Sequence, residues 1–434
     1  MLDLTQLAPK LQVFFTQTAE AIARQTQFVR RASKMSGAVF LQSVVFGFEA
    51  QPEACLTDLI GTSDDLGVVI SKQGLQDRIL QAVAFLQAMF EHGLRLFRHN
   101  GPLDVAALKQ FRGIFITDST VIALPESLRG EFAGCGGNAA DAALKIQLTF
   151  ELLGGTMDTV DFQAGRSPDQ VYDTGHGIQP GALYLSDLGY FVVHRFQQID
   201  QQHAYFLSRL DLQTAIFDPE TGERLDLLKW LRVQTEPQRE TRWLVSLQEK
   251  LPCRVIVTQL PPAVADRRRQ KARETARRKG RTVSPRHLEL LGWNLYITNV
   301  PATGLTWQQV VVLYAMRWQI ELIFKVWKSQ AALDRVAGRR RERVLTELYA
   351  KLIGLVVTHF LIAPFRPVDR ELSLVKVQHI VQRYAMRLAQ SLGSLDQLAT
   401  VLGKLIACCL TSALKDKRRK RPTTLQKLQI AVAC

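Results

Sequence analysis

Three carboxylates occupy positions where acidic side chains can hold metal ions. Asp118 ends the apolar, β-like run FITDST, and Asp187 ends a second such run, YLSD. Either aspartate alone is better explained as a turn residue. Glu321 adds a third hard oxygen donor, and three carboxylates suit a pair of Mg²⁺ ions, with Mn²⁺ as the substitute. Such a pair activates an attacking water or hydroxyl and stabilises the leaving oxygen of a phosphodiester.

Glu321 belongs to one long predicted helix. Thr306 and Gln309 have the spacing of a capping box, which predicts a helix that starts there and continues to about Gln330. On a wheel of about 100° per residue, four polar residues fall within a stripe about 60° wide that flanks an apolar face. The stripe consists of Tyr314, Arg317, Glu321 and Lys328. The apolar face consists of Leu313, Met316, Ile320, Ile323 and Trp327.

A structural alternative explains part of this stripe. Arg317 and Glu321 are four residues apart, which is the spacing of a helical salt bridge. A salt bridge does not account for Tyr314 and Lys328 on the same line. An arginine grips a phosphate with two donors and a lysine supplies a point charge, so the stripe is suited to hold a phosphodiester beside Glu321.

The N-terminal quarter of the chain is predicted to be helical, because apolar residues recur at helical spacing up to about residue 105. Within it, Ala54–Ile79 resembles a helix-turn-helix, with a short helix around Leu56–Ile60 that ends at Gly61 and a second helix that starts at Ser71. Side chains on the outer side of the second helix are placed to reach bases and phosphates. They are Lys72, Gln73, Gln76 and Arg78. A purely structural two-helix hairpin has the same pattern and stays open as the alternative.

β-Strand patterns dominate from residue 111 to residue 300. Phe111–Leu124 is rich in β-branched residues, and Leu144–Leu153 and Thr156–Phe162 flank Gly154-Gly155 as in a hairpin. Further strands are predicted at 182–186, 204–210, 242–247, 253–259 and 293–300. Strands followed by long helices, without a G-x-G-x-x-G or Walker loop, indicate an α/β fold that is not a nucleotide-binding one.

Positive charge is concentrated in three runs. The net charge is +15, from 55 Lys and Arg against 40 Asp and Glu, and the runs span 266–281, 335–343 and 415–421. Concentrated charge is what a surface that follows DNA phosphates requires, although solvated helix faces are the alternative for any single run. The first run predicts either a basic helix or a loop. Its candidate DNA-binding residues are Arg267, Arg268, Arg269, Lys271, Arg277, Arg278 and Lys279.

Composition excludes several classes of protein. Hydrophobic residues make up 47% of the chain and charged residues 22%, which excludes dominant disorder and collagen-like repeats. The six scattered cysteines indicate reduced, mostly buried thiols rather than a disulfide framework. The N-terminus lacks the pattern of a signal peptide, and the apolar stretch Leu352–Phe365, which contains His359, is too short to span a membrane and is predicted to be a buried helix. We therefore expect a cytoplasmic, nucleoid-associated protein without a membrane partner.

The segment YAMRWQIELIFKVWK, with Tyr314-x2-Arg317-x3-Glu321-x6-Lys328, resembles the Tyr-Arg-Glu-Lys signature of cut-and-paste insertion-sequence transposases of the DDE superfamily. ITDST around Asp118 and LSDLGYF around Asp187 are similar to the first and second acidic motifs of that family. WNLYITNVP, residues 293–301, is similar to the segment before its last catalytic helix. The resemblance covers about residues 20–365.

The resemblance implies an α/β fold with an RNase H-like mixed-sheet catalytic core, a β-rich insertion, and helical regions at both ends. It implies that Asp118, Asp187 and Glu321 are the DDE triad and that Trp293 stacks on a base flipped out of the transposon end. A core tryptophan on a strand is the alternative for Trp293. The implied partners are DNA, as inverted-repeat ends and target, and a second copy of the chain in a synaptic homodimer.

Five regions follow from these patterns and from the resemblance. Residues 1–105 are the helical DNA-binding region, 106–210 and 301–365 form the two parts of the core, 211–300 are the insertion, and 366–434 are a C-terminal helical region for dimerisation with a basic tail. The expected activity is cut-and-paste DNA transposition through a hairpin intermediate. Two alternatives are another RNase H-like metal-dependent nuclease and a non-catalytic DNA-binding regulator derived from a transposase.

Overall fold

The computed structural model describes residues 4–31, 33–98, 105, 108–137, 139–172, 177–365, 371–416 and 426–427. Most of the predicted basic tail, from residue 417 onward, lies outside the described residues, as does Cys434. Over the described ranges, fifteen α-helices and ten β-strands follow one another along the chain.

The helices are concentrated in the first hundred residues and after residue 300. They are α1 (Leu4–Val13), α2 (Ala19–Gln25), α3 (Gly37–Ala50), α4 (Leu56–Asp65), α5 (Lys72–Gln81), α6 (Val83–Leu96), α7 (Val193–Gln201), α8 (Leu227–Arg232), α9 (Pro262–Arg278), α10 (Pro285–Leu290), α11 (Trp307–Met316), α12 (Trp318–Ser329), α13 (Arg341–Ile362), α14 (Leu374–Ser391) and α15 (Leu395–Ser412). Ser36, Ser71 and Thr306 cap α3, α5 and α11 by accepting a backbone N–H three residues on, as these residue types commonly do. The predicted starts of α5 and α11 are therefore confirmed.

The strands lie between these two helical regions. They are β1 (Ile114–Ala123), β2 (Ala143–Glu151), β3 (Thr156–Ala164), β4 (Leu183–Ser186), β5 (Tyr205–Arg209), β6 (Ile216–Phe217), β7 (Arg224–Leu225), β8 (Gln238–Val245), β9 (Leu251–Gln259) and β10 (Trp293–Thr298). The strand predictions are confirmed, with shifts of a few residues at their ends. Asp118 is a correction, since it lies in the middle of β1 and not at its end. The β-branched Thr120, Val121 and Ile122 continue the extended pattern past it.

The chain divides into two compact units, and each is built from separate stretches of sequence. The first unit comprises residues 1–103, 118–167 and 318–421, and the second comprises residues 104–117, 168–317 and 422–434. β1 contributes Ile114–Thr117 to the second unit and Asp118–Ala123 to the first.

α13 is the central helix of the first unit. Every residue from Arg343 to Ile362 is buried, as α3, α5 and α6 pack around it. Most buried polar groups in proteins have hydrogen-bond partners, and Lys351 of α13 has three, whereas Arg343 Nη1 and Thr358 Oγ1 have none among the described residues. Lys351 Nζ donates to the carbonyl oxygens of Ala332 and Arg335 at 2.9 and 2.8 Å, and to Glu347 Oε1 at 2.8 Å.

Close helix packing in the first unit depends on small residues and on one buried acid. A Cβ added at Gly37 of α3 would lie 2.3 Å from the Cβ of Ala23 in α2, so only glycine fits there. Glu49 of α3 is buried, and Gln378 Nε2 of α14 donates to its Oε1 at 2.6 Å. Burial raises the pKa of Glu49 to about 8, and the hydrogen bond from Gln378 opposes the shift.

The first unit also contains the strand order β3-β2-β1. β2 and β3 form the predicted hairpin, antiparallel from Leu144 opposite Ala164 to Glu151 opposite Thr156. The turn between them uses Gly155 at a φ of 68°, which favours glycine.

The second unit is built on a mixed sheet. Its strand order is β1-β4-β5-β10-β9-β8-β6-β7, with β1, β4 and β5 parallel and every later pair antiparallel. A hydrophobic core that includes Trp243, Phe196 and Phe206 packs against it. The mixed sheet with flanking helices confirms the predicted α/β class, the RNase H-like core and the β-rich insertion, which also contains α8, α9 and α10.

Two helices among the described residues are long and apolar enough to cross a membrane by length and composition alone. In α13 the apolar window is 100% buried inside the protein, which confirms the predicted buried helix, although the helix begins at Arg341 and is longer than predicted. In α15 the corresponding window is 28% buried, and this helix was not predicted as a candidate. One or two such helices are weak grounds for a membrane.

The cysteines correct one expectation. Among the described residues, Cys253 and Cys409 are buried, whereas Cys55 and Cys135 are exposed, and all of these thiols are free. Burial raises the pKa of Cys409 to about 12, so that thiol stays protonated.

Candidate catalytic site and DNA-binding surface

Asp187 lies at the carboxyl end of a parallel strand. β4 ends at Ser186, which pairs with Thr117 of β1 and with Ser208 of β5. Ligands of α/β proteins commonly bind at the carboxyl ends of parallel strands. The predicted position of Asp187, directly after a strand, is therefore confirmed, and Asp118 is the residue that follows Thr117 in the chain.

Two side chains of the predicted polar stripe approach Asp187 within the second unit. The hydroxyl of Tyr314 lies 3.5 Å from Asp187 Oδ1, and Arg317 Nε lies 3.8 Å from the same oxygen. Burial raises the pKa of Tyr314, and the neighbouring Asp187 adds to the increase, so the phenol stays protonated and can donate. The Asp187 side chain is 41% exposed while that of Arg317 is 12% exposed, so the carboxylate is open to solvent and its cationic neighbour is held in place.

Tyr296 and Arg209 extend this group and were missed by sequence reasoning. The rings of Tyr296 and Tyr314 pack edge to face with centroids 5.2 Å apart. Burial raises the pKa of Tyr296, whereas the charges of Arg209 and Arg268 lower it. The only sequence signals were a lone arginine in the strand pattern AYFLSRL and a tyrosine in the motif WNLYITNVP.

In the first unit, Lys328 of α12 is bonded to the strand that carries Asp118. Its Nζ donates to the carbonyl oxygen of Val121 at 2.9 Å, three residues beyond Asp118 on β1. Burial lowers the pKa of Lys328, and Asp334 opposes the change. Asp118 Oδ1 accepts the N–H of Ser119 at 2.8 Å. Glu321 is half-buried in the first turn of α12, where the helix dipole favours a carboxylate.

The single helix predicted for residues 306–330 is interrupted at Arg317, which corrects the helical wheel. α11 ends at Met316 and α12 begins at Trp318. The N–H of Arg317 donates to the carbonyl of Tyr314 at 3.1 Å, a bond over three residues that tightens the turn. The wheel therefore holds only within each helix. The five residues of its apolar face are all buried, as predicted.

Trp293 is the first residue of β10 and is half-buried against the hydrophobic core of the second unit. It pairs in register with Gln259 of β9. This packing favours the alternative of a core tryptophan, and the stacking role stays a prediction.

The first basic run forms helix α9, which decides between the predicted helix and loop. Its seven candidate residues differ in their surroundings. Arg268 and Lys271 line a cavity of about 500 Å³, whereas Arg269 is used in packing, through a bond to the Leu288 carbonyl at 3.0 Å and an ion pair with Asp266 at 2.8 Å. The remaining four are exposed: Arg267, Arg277, Arg278 and Lys279.

The second basic run is largely committed to structure. Arg335 pairs with Glu53 at 2.5 Å, and Arg341 pairs with Glu131 at 2.5 Å, all within the first unit. Arg343 is buried, and burial lowers its pKa. The alternative that this run serves the fold is therefore the better one, and two of its arginines are already neutralised.

The two helices of the predicted helix-turn-helix are present as α4 and α5. α4 continues past Gly61 to Asp65, which corrects its predicted end, because a Gly61 Cβ would meet nothing and an exposed helical glycine is tolerated. Lys72 and Gln73 are exposed in the first turn of α5. Arg78 donates to Ser33 Oγ at 2.5 Å, lies over the Phe28 ring, and lines a cavity of about 620 Å³ with Arg30 and Arg31.

Within the described ranges, no group of three His, Cys, Asp or Glu side chains is placed to hold one metal ion. The donor chemistry nevertheless suits Mg²⁺, which usually takes one or two carboxylates and completes its shell with water and phosphate oxygens. Asp187 belongs to the second unit, whereas Asp118 and Glu321 belong to the first.

The sequence match over the α/β core assigns the chain to one class of protein, the DDE transposases. The chain belongs to that family, because residues 109–357, more than half of its length, match the model described as "Transposase DDE domain". It is 27% identical to the transposase for insertion sequence element IS231F of Bacillus thuringiensis subsp. israelensis, over 97% of this chain and 94% of that protein. It is 26% identical to the IS1151 transposase of Clostridium perfringens, over 94% of this chain and 92% of that protein. A solved structure, the cryo-EM piggyBac transposase synaptic complex with hairpin DNA, is similar with a TM-score of 0.46 and 9% identity, covering 97% of this chain and 87% of that one.

Proposed function

We propose that this chain catalyses cut-and-paste DNA transposition at the terminal inverted repeats of an insertion sequence. The observation that carries the proposal is the group around Asp187, where the Tyr314 hydroxyl and Arg317 Nε lie within 4 Å of a carboxylate at a strand end. Family membership supplies the transposase activity, and this group supplies the chemistry for holding a phosphodiester.

The proposed reaction is a series of in-line displacements at phosphorus. Water attacks the phosphodiester at an end of the element, and the bond to the 3′ oxygen breaks, which leaves a 3′-OH and a 5′-phosphate. That 3′-OH attacks the opposite strand to close a hairpin and free the element. A second hydrolysis opens the hairpin, and the regenerated 3′-OH attacks a phosphodiester of target DNA.

Asp118, Asp187 and Glu321 would hold Mg²⁺, or Mn²⁺ in its place. Bound metal lowers the pKa of the attacking water or hydroxyl and offsets charge on the leaving oxygen. The chain's own residues position the strand. Arg317 offers two parallel donors to a phosphate, and the protonated Tyr314 hydroxyl donates to an anionic oxygen. Lys328 Nζ donates to the carbonyl oxygen of Val121, which places its amino group beside β1.

DNA contacts outside the reacting phosphate are assigned to two regions. The exposed start of α5, with Lys72, Gln73 and the nearby Arg78, is proposed to meet the inverted repeat. The basic face of α9 and Trp293 are proposed to hold the strand near its cleaved end. Two ends must be joined, so a homodimer is the proposed synaptic form, active in the cytoplasm at the nucleoid.

The test uses purified full-length protein, a duplex that carries its own element's end, and Mg²⁺. We expect Glu321→Gln to lower end cleavage by at least a hundredfold. Mutating a residue that only hydrogen-bonds to a metal ligand lowers activity or metal affinity by about 10–100-fold, and losing the ligand itself should cost more. End binding should persist, because the change does not remove a positive charge. The matched control is Glu126→Gln, an exposed acid of the same unit.

Denaturing gels separate nicks, hairpins and joined products. End-specific cleavage in wild type and in Glu126→Gln, with loss in Glu321→Gln, supports the proposal. Cleavage without sequence preference would indicate another RNase H-like nuclease. Tight end binding with no metal-dependent cleavage by wild type would indicate a DNA-binding regulator and overturn the proposal.

A further inference from the structure

A basic cavity of about 500 Å³ lies in the second unit, between α9, β5 and α10. α9 lines it with residues at positions i, i+3, i+4, i+7 and i+8, beginning at Arg268, so one face of this helix forms the wall. Arg209 of β5 and His287 of α10 complete its polar lining together with Lys271 and Thr275. The other lining residues are small or apolar, and no carboxylate is among them.

The two arginines of this cavity are in an arrangement that needs a counter-charge. Arg209 Nε is buried without a hydrogen-bond partner among the described residues. Arg268 Nη1 donates to Asn294 Oδ1 at 2.9 Å, a neutral partner that leaves the positive charge uncompensated. Burial and then the like charge of Arg209 lower the pKa of Arg268. Two partly buried positive charges repel each other. An anion placed between them is attracted to both, and this attraction offsets the repulsion.

The cavity is linked to the candidate site through residues of the same unit. Arg209 of β5 pairs in register with Tyr296 of β10, and the ring of Tyr296 packs on that of Tyr314. Tyr314 in turn lies 3.5 Å from Asp187. The path from Arg268 to Asp187 therefore runs through Arg209 and two tyrosines in contact with each other.

We propose that this cavity binds a phosphate group of the DNA strand next to the reacting one, a position that rests on the proposed function. Two guanidinium groups, an ammonium and a hydroxyl are the donors that a phosphate takes, and a planar guanidinium matches two phosphate oxygens at once. A strand phosphate held here fixes the direction in which the backbone leaves Asp187. Arg209 and Arg268 are thereby positioning residues, and Arg268 acts through the cavity rather than as one more charge on an exposed helix.

The test compares two charge removals on α9. Arg268→Gln removes a charge from the cavity wall, and Arg273→Gln removes one from an exposed position of the same helix that does not line the cavity. Binding of the labelled end duplex is measured with EDTA present, so that no cleavage occurs, over a series of salt concentrations. We expect Arg268→Gln to weaken binding about tenfold or more and to reduce the salt slope by about one. Arg273→Gln should weaken it by less than about threefold.

Two further variants keep the comparison decisive. Lys271→Gln lies on the cavity wall one turn from Arg268 and should also exceed the effect of Arg273→Gln. Arg268→Lys restores charge without the planar fork and should recover part of the affinity. Thermal melting of each variant identifies any that fail to fold, and Lys271→Gln replaces Arg268→Gln in that case. Equal losses in the cavity and control variants would overturn the proposal.

A second arm separates the two sources of phosphate. Inorganic phosphate is titrated into wild type by calorimetry at constant ionic strength. Phosphate binding that is lost in Arg268→Gln, together with unchanged DNA affinity in that variant, would show a site for free phosphate and overturn the assignment to DNA. The EDTA binding data do not depend on catalysis, so failure of wild type to cleave would contradict the proposed function and leave this comparison intact.

Discussion

Asp187 Oδ1 has the buried Tyr314 phenol and the Arg317 guanidinium within 4 Å, so one oxygen of this carboxylate faces two donor groups. The motif that contains Tyr314 and Arg317 could be predicted from the sequence, because its four residue types have a defined spacing along the chain. Arg209 and Tyr296 were not predictable, because an isolated arginine or tyrosine in a strand has no spacing to distinguish it. Their importance comes from pairing between strands and helices distant in sequence.

Tyr314→Phe removes only the hydroxyl next to Asp187. We expect end cleavage to fall about 10–100-fold, the effect of losing one hydrogen bond to a charged oxygen, with end binding unchanged. Single-turnover cleavage in Mg²⁺ measures it. The control is Tyr205→Phe, a tyrosine of the same unit whose ring packs edge to face on Phe111. A cleavage rate equal to wild type in Tyr314→Phe would contradict a role for the hydroxyl.

At the scale of elements, most strands and helix starts follow from local patterns. The interruption at Arg317 does not, because no glycine or proline lies near it and the three-residue bond to the Tyr314 carbonyl has no local sequence signal. Asp118 was misplaced at a strand end for a related reason, since polar Asp-Ser-Thr suggested a turn while β-branched neighbours kept the strand extended.

The packing of α2 against α3 gives a prediction about two glycines. Gly37→Ala places a Cβ 2.3 Å from that of Ala23, so we expect the free energy of unfolding to fall by about 1–3 kcal/mol. Gly61→Ala is the control, because its Cβ would meet nothing within 4 Å and alanine favours the helix by up to about 1 kcal/mol. The urea concentration at the midpoint of unfolding should therefore fall in Gly37→Ala and rise in Gly61→Ala. A shift in the same direction for both would contradict the close approach of α2 and α3.

Glu49, between α3 and α14, predicts a pH dependence of stability. Its pKa is about 8 in the fold against 4.5 in the reference state, so between these values the folded chain keeps a proton that the unfolded chain has lost. Stability from this group is fully present below pH 4.5 and is lost as the pH rises toward 8, at no more than about 1.4 kcal/mol per pH unit.

Glu49→Gln should remove this dependence while keeping an acceptor for Gln378. Urea unfolding at pH 5 and pH 8 measures the difference, and the variant should be more stable than wild type at the higher pH. The exposed Glu126→Gln serves as the control and should follow wild type. Parallel changes in wild type and Glu49→Gln would show that the carboxyl is not buried as described.

For the whole molecule, the net charge of +15 correctly indicated a protein that acts on DNA, but it did not indicate which surface is free to contact DNA. Sequence counts every arginine equally, whereas the fold neutralises Arg335 and Arg341 with acids distant in sequence and buries Arg343. The division into two discontinuous units could not be predicted either, because its boundaries fall inside β1 and between α11 and α12. Both outcomes depend on long-range contacts that no local pattern records.

This uneven distribution predicts how non-specific DNA binding responds to salt. Replacing the five basic residues at 417–421 by glutamine should lower the salt slope by about 4.5, when each meets one phosphate. The double variant Arg335→Gln with Arg341→Gln should change the slope by less than about 1 and lower the melting temperature instead. Fluorescence anisotropy with a duplex of unrelated sequence measures both. A larger slope change in the double variant would contradict the ion pairs with Glu53 and Glu131.

Lys351 has three protons to donate and meets three acceptors, which together fasten the segment after α12 to α13. Glutamine offers two donors and arginine a planar fork, so neither reproduces three donors on a single nitrogen. Mobile elements spread as copies, and copies accumulate changes independently. A copy that has lost this lysine keeps every acidic residue of the proposed site and loses the bonds to Ala332 and Arg335, which lie just after the helix that carries Glu321. A test for intact copies should therefore require Lys351 as well as the three acidic residues of the proposed site.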